Sequence, residues 1–390
     1  MRTTATTRRP RLRLLLRLVV VLVAAGLVAT WLSTDHLRAF GGSPDATKLR
    51  RSPHFDGKQL VNTEYTPMMA ASDVSTWSVL RHWLFGHELR APNCPLPLYP
   101  AADARARLAQ PPASELRVTW LGHSTTLIEV DGVTVLTDPV FSERASPSRW
   151  FGPRRFHPPP LPLESLPRLD AVVISHEHYD HLDEASVQAL AKRGVPFHVP
   201  LGIGAHLAAW GVPAAQIVEH DWWQPALLPH GVQLTSAPAR HFNGRGVPWR
   251  LGALWTSWAL VGPRHRVFYS GDTGLHAAMS EIGARLGPFD VALLEIGQYD
   301  KSWGNIHLGP LGALEANQRL GGRVLFPIHW ATFQLGMHDW SEPAETLTNE
   351  AAARHVAIVT PRLGEPVEPT TQPATPAWWR ALPPTAASCP

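Results

Sequence analysis

The chain has 390 residues, of which 44% are hydrophobic, and a formal net charge of +3 at pH 7, so it can build a substantial core and is not a disordered chain. Six arginines precede the first acidic residue, Asp35, and without them the formal charge of the remainder is −3. Such a remainder lacks the basic surface that nucleic-acid binding requires, so we expect no nucleic-acid partner, although the run from Arg144 to Arg168 is basic and suits a phosphate.

The first predicted element is a membrane-targeting segment. The six arginines lead into an apolar run from Leu18 to Leu32, an asymmetry that a buried core helix does not explain. The run rises about 22 Å as a helix, short of a hydrocarbon core of about 30 Å unless the preceding leucines join it. No A-x-A site follows, which favours an uncleaved anchor over the alternative, a cleaved signal peptide. Both place the rest of the chain on the extracytoplasmic, periplasmic side.

The sequence divides into four predicted segments. They are the targeting segment 1–34, a Pro-rich, aromatic-containing extension 35–112 that wraps the core, a core domain 113–370 and a Pro/Ala-rich tail 371–390. Cys94 and Cys389 lack the paired spacing of a zinc knuckle. One bridge between them is possible, but we favour two free thiols.

Within the core domain, short strands alternate with helices. From Arg117 the chain predicts two strands joined by a tight turn at Asp131 and Gly132. Further strands are predicted in "DAVVIS", "PFHVP", "GVQLTSAPAR", "LGALWTSWALVG", "HRVFYSG", "DVALLEIG", "RVLFPIH" and "AIVTPRL". Helical patterns that end at glycines separate most of these strands. This order predicts a layered α/β domain that contains mixed sheets.

Histidines and aspartates follow several of these strands directly. The set comprises His176, His178, Asp180, His181, His241, Asp272 and His329. A lone histidine after a strand is more often structural, but three histidines and an aspartate within six residues have no economical packing explanation, because burying them unpaired is costly. Imidazole nitrogens and carboxylate oxygens bind zinc and similar divalent ions. Seven such groups exceed the three protein ligands of a mononuclear catalytic site and indicate two metals.

The motifs "SHEHYDH", "GDTG" and "PIHW" resemble the metallo-β-lactamase superfamily. The resemblance implies an αββα four-layer sandwich in which two mixed β-sheets face each other, with the metals at one edge. The stretches "WLGHSTTLIEVDGVTVLTDPVFSERASP", "RHFNGRG", "LLEIGQYD" and "IHWATFQL" resemble the branch that contains N-acylphosphatidylethanolamine-hydrolysing phospholipase D and its bacterial relatives. The likeness covers roughly Arg117 to Pro343.

The resemblance also implies how the seven groups are shared between two Zn²⁺ ions, other divalent metals being possible. His176, His178 and His241 would bind one zinc, Asp180, His181 and His329 the second, and Asp272 would bridge them. Asp180 and Asp272 are the predicted catalytic residues.

Three further residues are candidates beside the metals. Asp138 resembles the aspartate of the superfamily's first motif and would orient a metal-bound imidazole; the alternative is a turn-capping aspartate before Pro139. His123 would support a ligand or be a plain turn residue. His307 matches a histidine near the substrate phosphate of the phospholipases, or is an ordinary loop residue. Glu177 stands between two of the predicted ligands and would point to the opposite side of an extended segment, so it is expected to be a solvated or helix-capping acid that binds no metal.

The function implied by the resemblance is that of a zinc-dependent phosphodiesterase of the phospholipase D type. A metal-bridging hydroxide would attack phosphorus in N-acylphosphatidylethanolamine-like lipids and release phosphatidate and an N-acylethanolamine. The alternatives are a lactonase or another ester or phosphodiester hydrolase of the same fold, and a binding protein that retains the metal site. Expected partners are a phospholipid or small phosphodiester substrate, the membrane, and a second copy in a homodimer.

Overall fold

The computed structural model describes residues 9–31, 38–67, 75–245, 252–371, 375–382 and 389. Helix α1 runs Arg9–Trp31, and its side chains are described from Leu14 to Gly26. The end of the predicted apolar run at Leu32 lies outside the described residues. Within those ranges no helix is long and apolar enough to cross a membrane. The predicted membrane anchor, and the location by an anchor that was predicted with it, are therefore wrong.

Two mixed β-sheets form the centre of the fold. Their strands are β1 Leu116–Gly122, β2 Thr125–Val130, β3 Val133–Thr137, β4 Ala171–Val173, β5 Phe197–Pro200, β6 Ile217–His220, β7 Pro225–Leu227, β8 Gln233–Ala237, β9 Ser257–Val261, β10 Arg266–Tyr269, β11 Val291–Glu295, β12 Val324–Ile328 and β13 Pro366–Val367. The first sheet has the order β13-β1-β2-β3-β4-β5-β6, antiparallel as far as β3 and parallel beyond it. The second has the order β12-β11-β10-β9-β8-β7, parallel as far as β10 and antiparallel beyond it.

Helices surround the sheets. They are α2 Ala46–Leu49, α3 Thr76–Phe85, α4 Ala101–Leu108, α5 Glu184–Ala191, α6 Ile203–Ala209, α7 Ala278–Leu286, α8 Gly309–Leu320 and α9 Glu342–Ala353, with 3₁₀ helices at Leu163–Ser165, Ala214–Gln216, Pro229–Gly231 and Trp378–Ala381. Local chemistry sets their ends. The side chain of Asp183 accepts a hydrogen bond from the Ser186 backbone and so caps α5. Helix α8 ends where Gly321 takes a left-handed φ of 68°.

Side chains of the first sheet alternate between two cores, as the period of two in a strand requires. In β4, Ala171 and Val173 face the core shared with the second sheet, whereas Val172 faces the core that also contains residues of α4, α5 and α6. The shared core includes residues of α7, α8 and α9. The layers are therefore helices, sheet, sheet and helices, so the predicted mixed α/β fold with two mixed sheets is confirmed.

The extension before β1 packs on the core and contacts the strand ends where the predicted ligands lie. The side chain of Asn62 donates to the backbone oxygen of His241 at 2.8 Å and accepts from its backbone nitrogen at 3.1 Å. A disulfide joins Cys94 to Cys389, with their Cα atoms 5.5 Å apart. The favoured interpretation of two free thiols is therefore wrong, because the fold brings the extension and the tail together. The four-segment division itself stays a prediction.

Candidate metal centre

The predicted ligands lie just beyond the carboxyl ends of strands in both sheets. His176 follows β4 of the first sheet, whereas His241, Asp272 and His329 follow β8, β10 and β12 of the second. All four side chains are almost completely buried. Because the strand ends meet at one edge, groups that are far apart in sequence come within a few ångströms of each other.

One group of side chains comprises His176, His178, His241 and Asp272. One ligand atom from each lies within 4.8 Å of the others. The ring atom His178 Nδ1 is 2.9 Å from His176 Nε2 and 3.2 Å from His241 Nε2. Asp272 Oδ2 is 3.8 Å from His176 Nε2 and 3.9 Å from His241 Nε2. This is the set of residue types that zinc accepts.

A second group adjoins the first. It comprises His123, Asp180, His181 and His329, again with ligand atoms within 4.8 Å of one another. Asp272 belongs to this neighbourhood as well, because its Oδ1 is 3.1 Å from His181 Nε2 and its Oδ2 is 3.2 Å from His329 Nε2. The carboxylate of Asp272 therefore faces both groups, which is the position that a bridging ligand occupies.

The polar atoms at this junction are not satisfied by the protein itself. His181 Nε2, His329 Nε2 and Asp272 Oδ1 are buried and lie near one another, but within the described ranges none of them has a partner in hydrogen-bonding geometry. Burying such atoms unpaired is costly. A cation among them would use these lone pairs, so the residues present fit a metal.

Electrostatics point the same way. Burial lowers the pKa of His176, His178 and His241, so these imidazoles are neutral and each can offer a ring nitrogen to a cation. Burial also opposes protonation of His329, but the Asp272 and Asp180 carboxylates outweigh it and raise its pKa to about 10. Carboxylates that hold a proton on a buried imidazole would equally attract a metal ion.

The backbone around the site is unusual. His123, Asp138 and His329 have positive φ angles of 52°, 32° and 66°. Residues other than glycine rarely adopt this backbone conformation, and those that do are enriched at functional sites. Gly271, directly before Asp272, has φ 56°, and a Cβ there would come within 2.4 Å of the Ser175 side chain. Only glycine therefore lets the two strand ends approach this closely.

Asp138 lies behind the ligands. Its Oδ2 is 2.6 Å from Nδ1 of His181, and its carboxylate also accepts from the Ser175 backbone and from the Tyr269 hydroxyl, each at 2.6 Å. A metal-bound imidazole usually donates its other N–H to a carboxylate in this way. The contact matches the predicted orienting role, which stays a prediction.

The other two candidates also lie at the cluster. His123 Nε2 is 2.8 Å from Asp180 Oδ2, so His123 contacts a predicted ligand directly. His307 Nδ1 is 4.0 Å from Asp272 Oδ2 and 3.0 Å from Glu295 Oε2. Glu295 is completely buried and 3.6 Å from His329 Nδ1, yet the sequence analysis missed it. Its signal was a charged residue at the end of the apolar run of β11, the same signal that found the others.

Glu177 is not the solvated acid that the sequence suggested. Its side chain is 4% exposed and bonds His206 Nε2 at 3.0 Å. It also accepts backbone N–H bonds from Gly244, Arg245 and Ala253 at 3.2 to 3.3 Å. The expectation of an outward-facing side chain is wrong because the chain leaves the extended conformation after β4 and turns at His178, whose carbonyl accepts from Leu182.

Comparisons with known proteins show the family to which the chain belongs. A family model described as the beta-lactamase superfamily domain matches residues 133–330. The chain therefore belongs to the metallo-β-lactamase superfamily, and it is a metal-dependent hydrolase of that superfamily.

Within the superfamily, several relatives are similar over long stretches. An uncharacterized protein of Mycobacterium tuberculosis (strain ATCC 25618 / H37Rv) is 43% identical over 371 residues, covering 92% of this chain and 98% of the relative. The N-acyl-phosphatidylethanolamine-hydrolyzing phospholipase D 1 of Caenorhabditis elegans is 36% identical over 268 residues, 65% of this chain and 75% of the relative. A metal-dependent hydrolase of Pyrobaculum neutrophilum is 31% identical over 224 residues, 57% of this chain and 88% of the relative.

A solved structure has the same fold. The isothiocyanate hydrolase from Delia radicum gut bacteria aligns with a TM-score of 0.52 and 18% identity, covering 65% of this chain and 98% of that chain. The likeness concerns the arrangement of the sheets and helices alone.

Proposed function

We propose that this chain is a dinuclear zinc hydrolase that cleaves phosphodiesters, of the phospholipase D type, in lipids such as N-acylphosphatidylethanolamine. The observation that carries the proposal is the position of Asp272, whose carboxylate lies between two groups of buried histidines. The similarity to the C. elegans phospholipase, which covers 65% of this chain, supports the substrate class.

The ligand assignment follows the two groups. His176, His178 and His241 would hold one ion, Asp180, His181 and His329 the other, and Asp272 would contact both. When bound, two such cations supply a nucleophile at neutral pH and neutralise charge that develops on a phosphate.

The protein's own residues orient this centre. Asp138 fixes the His181 ring through Nδ1 and leaves Nε2 directed at Asp272. Glu295 holds Nδ1 of His307 at 3.0 Å, which leaves Nε2 of His307 for a substrate oxygen. The His307 side chain is 10% exposed, whereas His329 beside it is 1% exposed, so we assign His307 to substrate binding. A homodimer remains a prediction beside this proposal.

The test is a product assay on purified protein loaded with zinc. The proposal predicts that N-acylphosphatidylethanolamine yields phosphatidate and an N-acylethanolamine, identified by mass spectrometry. A lactone offered in parallel should be hydrolysed far more slowly. Asp272→Asn, which keeps the size of the side chain, should lose about a hundredfold or more of the activity while circular dichroism shows that the protein remains folded. Rapid lactone hydrolysis without phosphodiester cleavage would favour the lactonase, and equal activity in Asp272→Asn would refute the proposed centre.

A further inference from the structure

A basic hairpin projects between β3 and β4. It runs from Glu143 to Arg155, and its two sides are joined by backbone hydrogen bonds from Ala145 to Pro153 and from Arg155 to Glu143, both of 3.0 Å. It carries four arginines, Arg144, Arg149, Arg154 and Arg155, and a single acid, Glu143. Glu143 pairs with Arg154 at 2.5 Å, and Arg155 is buried. The remainder of the chain after the amino-terminal arginines is slightly acidic, so this hairpin is a local concentration of positive charge.

The tip of the basic hairpin exposes two adjacent aromatic side chains. Trp150 is 60% exposed and Phe151 is 68% exposed. The backbone of the tip is held by local hydrogen bonds, because the buried hydroxyl of Ser148 accepts from the backbone nitrogens of both residues, at 3.1 and 3.3 Å. The Arg149 guanidinium lies 4.9 Å from the Trp150 ring centre. A fixed, exposed aromatic pair flanked by cations is typical of a surface that meets a partner.

The base of the basic hairpin packs against Phe333, which lies beside the candidate metal centre. Ala145 packs with Val140 and Phe333 in a small buried cluster, and the Arg155 guanidinium lies 5.7 Å from the Phe333 ring centre. Phe333 in turn is 5.2 Å from the ring of His123. A partner bound at the hairpin tip would therefore lie close to the candidate metal centre.

A cavity of about 420 Å³ lies between the basic hairpin and the loop that carries the ligands. Its lining includes Arg144 and Arg149 from the hairpin and Tyr179, which stands between His178 and Asp180 in the sequence. Glu143, Asp183 and Glu184 also line the cavity, so its lining is of mixed charge, and the positive charge of the hairpin that faces a partner lies at its tip.

We propose that the basic hairpin docks the protein on an anionic lipid surface. Trp150 and Phe151 enter the headgroup region, where aromatic rings are favoured, and the exposed Arg149 faces lipid phosphates. Charge complementarity selects this partner, since arginines near a negatively charged membrane each add to binding and a protein partner of ordinary charge would not need them. The proposal goes beyond hydrolysis, because docking requires neither bound metal nor a cleavable lipid.

A probe placed on the hairpin itself tests the proposal in the full-length chain. Phe151→Cys gives a single thiol for a polarity-sensitive fluorophore, because Cys94 and Cys389 are joined in a disulfide. Leu227→Cys is the matched control, since Leu227 is 79% exposed and apolar but lies outside the hairpin. Each labelled protein is mixed with vesicles of phosphatidylcholine alone or of phosphatidylcholine with phosphatidylglycerol. A local probe is needed because the arginine-rich amino terminus can bind anionic vesicles independently.

The emission of the probe at position 151 should shift to the blue on anionic vesicles, remain unchanged on neutral ones, and revert as salt is raised. Adding Arg149→Glu to Phe151→Cys should weaken the vesicle dependence about tenfold. Hydrolysis of a soluble diester by Arg149→Glu should equal that of the wild type, so failure of docking is distinguishable from failure of the proposed function. No shift at position 151, an equal shift at position 227, or the same shift on neutral vesicles would overturn the proposal.

Discussion

The carboxylate of Asp138 lies 2.6 Å from Nδ1 of His181, and both side chains are completely shielded from solvent. This contact fixes the imidazole so that Nε2 points at Asp272. Asp138→Asn should therefore lower zinc affinity about 10- to 100-fold, measured by competition with a chelator. Tyr269→Phe removes another hydrogen-bond partner of the same carboxylate and should lower zinc affinity by a smaller factor. Unchanged zinc affinity in a folded Asp138→Asn protein would show that the contact does not support a ligand.

Glu177 links the chain segment after His241 to the loop that carries His176, His178, Asp180 and His181. Its carboxylate accepts from Gly244, Arg245 and Ala253, and a glutamine would turn its amide donors toward some of these N–H groups. Glu177→Gln should reduce the free energy of unfolding by about 2 kcal/mol in a urea titration. The exposed Glu164 is the matched control, and Glu164→Gln should change stability by less than about 0.5 kcal/mol. A loss in Glu177→Gln no larger than in the control would refute this role.

His198, which lies outside the candidate metal centre, makes the stability of the fold sensitive to acid. Burial, reinforced by nearby His220, lowers its pKa to about 4, whereas an unfolded histidine titrates near 6.5. The unfolded chain therefore binds more protons between these values, so stability is present above about pH 6.5 and is lost as the pH falls toward 4. Between pH 7 and pH 5, protonation of this residue in the unfolded chain should lower the free energy of unfolding by about 2 kcal/mol. Urea titrations should show a correspondingly smaller loss in His198→Asn, and equal losses would contradict the assignment.

The disulfide between Cys94 and Cys389 closes a loop with a sequence separation of 295. Cross-links that close long loops restrict the unfolded chain most, so reduction should lower stability by about 5 kcal/mol. Thermal or urea unfolding with and without reductant measures this difference. The same reductant should have no effect on the double variant Cys94→Ser, Cys389→Ser. A wild type equally stable in both conditions would mean that the bridge does not form in solution.

Local patterns predicted most of the fold. Apolar runs and glycine stops identified most of the strands in the two sheets, and polar residues at strand ends led to the seven groups that the structure brings together. Those signals work because burial and strand termination are properties of neighbouring residues. The prediction of a strand in "AIVTPRL" is wrong, because this stretch forms only an isolated bridge between Leu325 and Ile358. The edge strand of the first sheet is β13, further along the chain.

Long-range contacts could not be predicted in this way. The pairing of Cys94 with Cys389 depends on where the extension and the tail meet in space. Glu177 looked solvated because strand alternation was extended past the end of β4, where the chain turns. The amino terminus was misjudged for a related reason, since charge asymmetry indicates a targeting segment but does not by itself provide a helix of sufficient apolar length.

The most direct test of the dinuclear centre is the number of zinc ions bound per chain, measured by mass spectrometry of metals after equilibration with zinc and removal of the free ion. The structure predicts two ions per chain in the wild type, because Asp272 faces both groups of ligands. It predicts fewer than two in Asp272→Asn at the same zinc concentration. A wild type that binds one ion, or none, would contradict the account of the site.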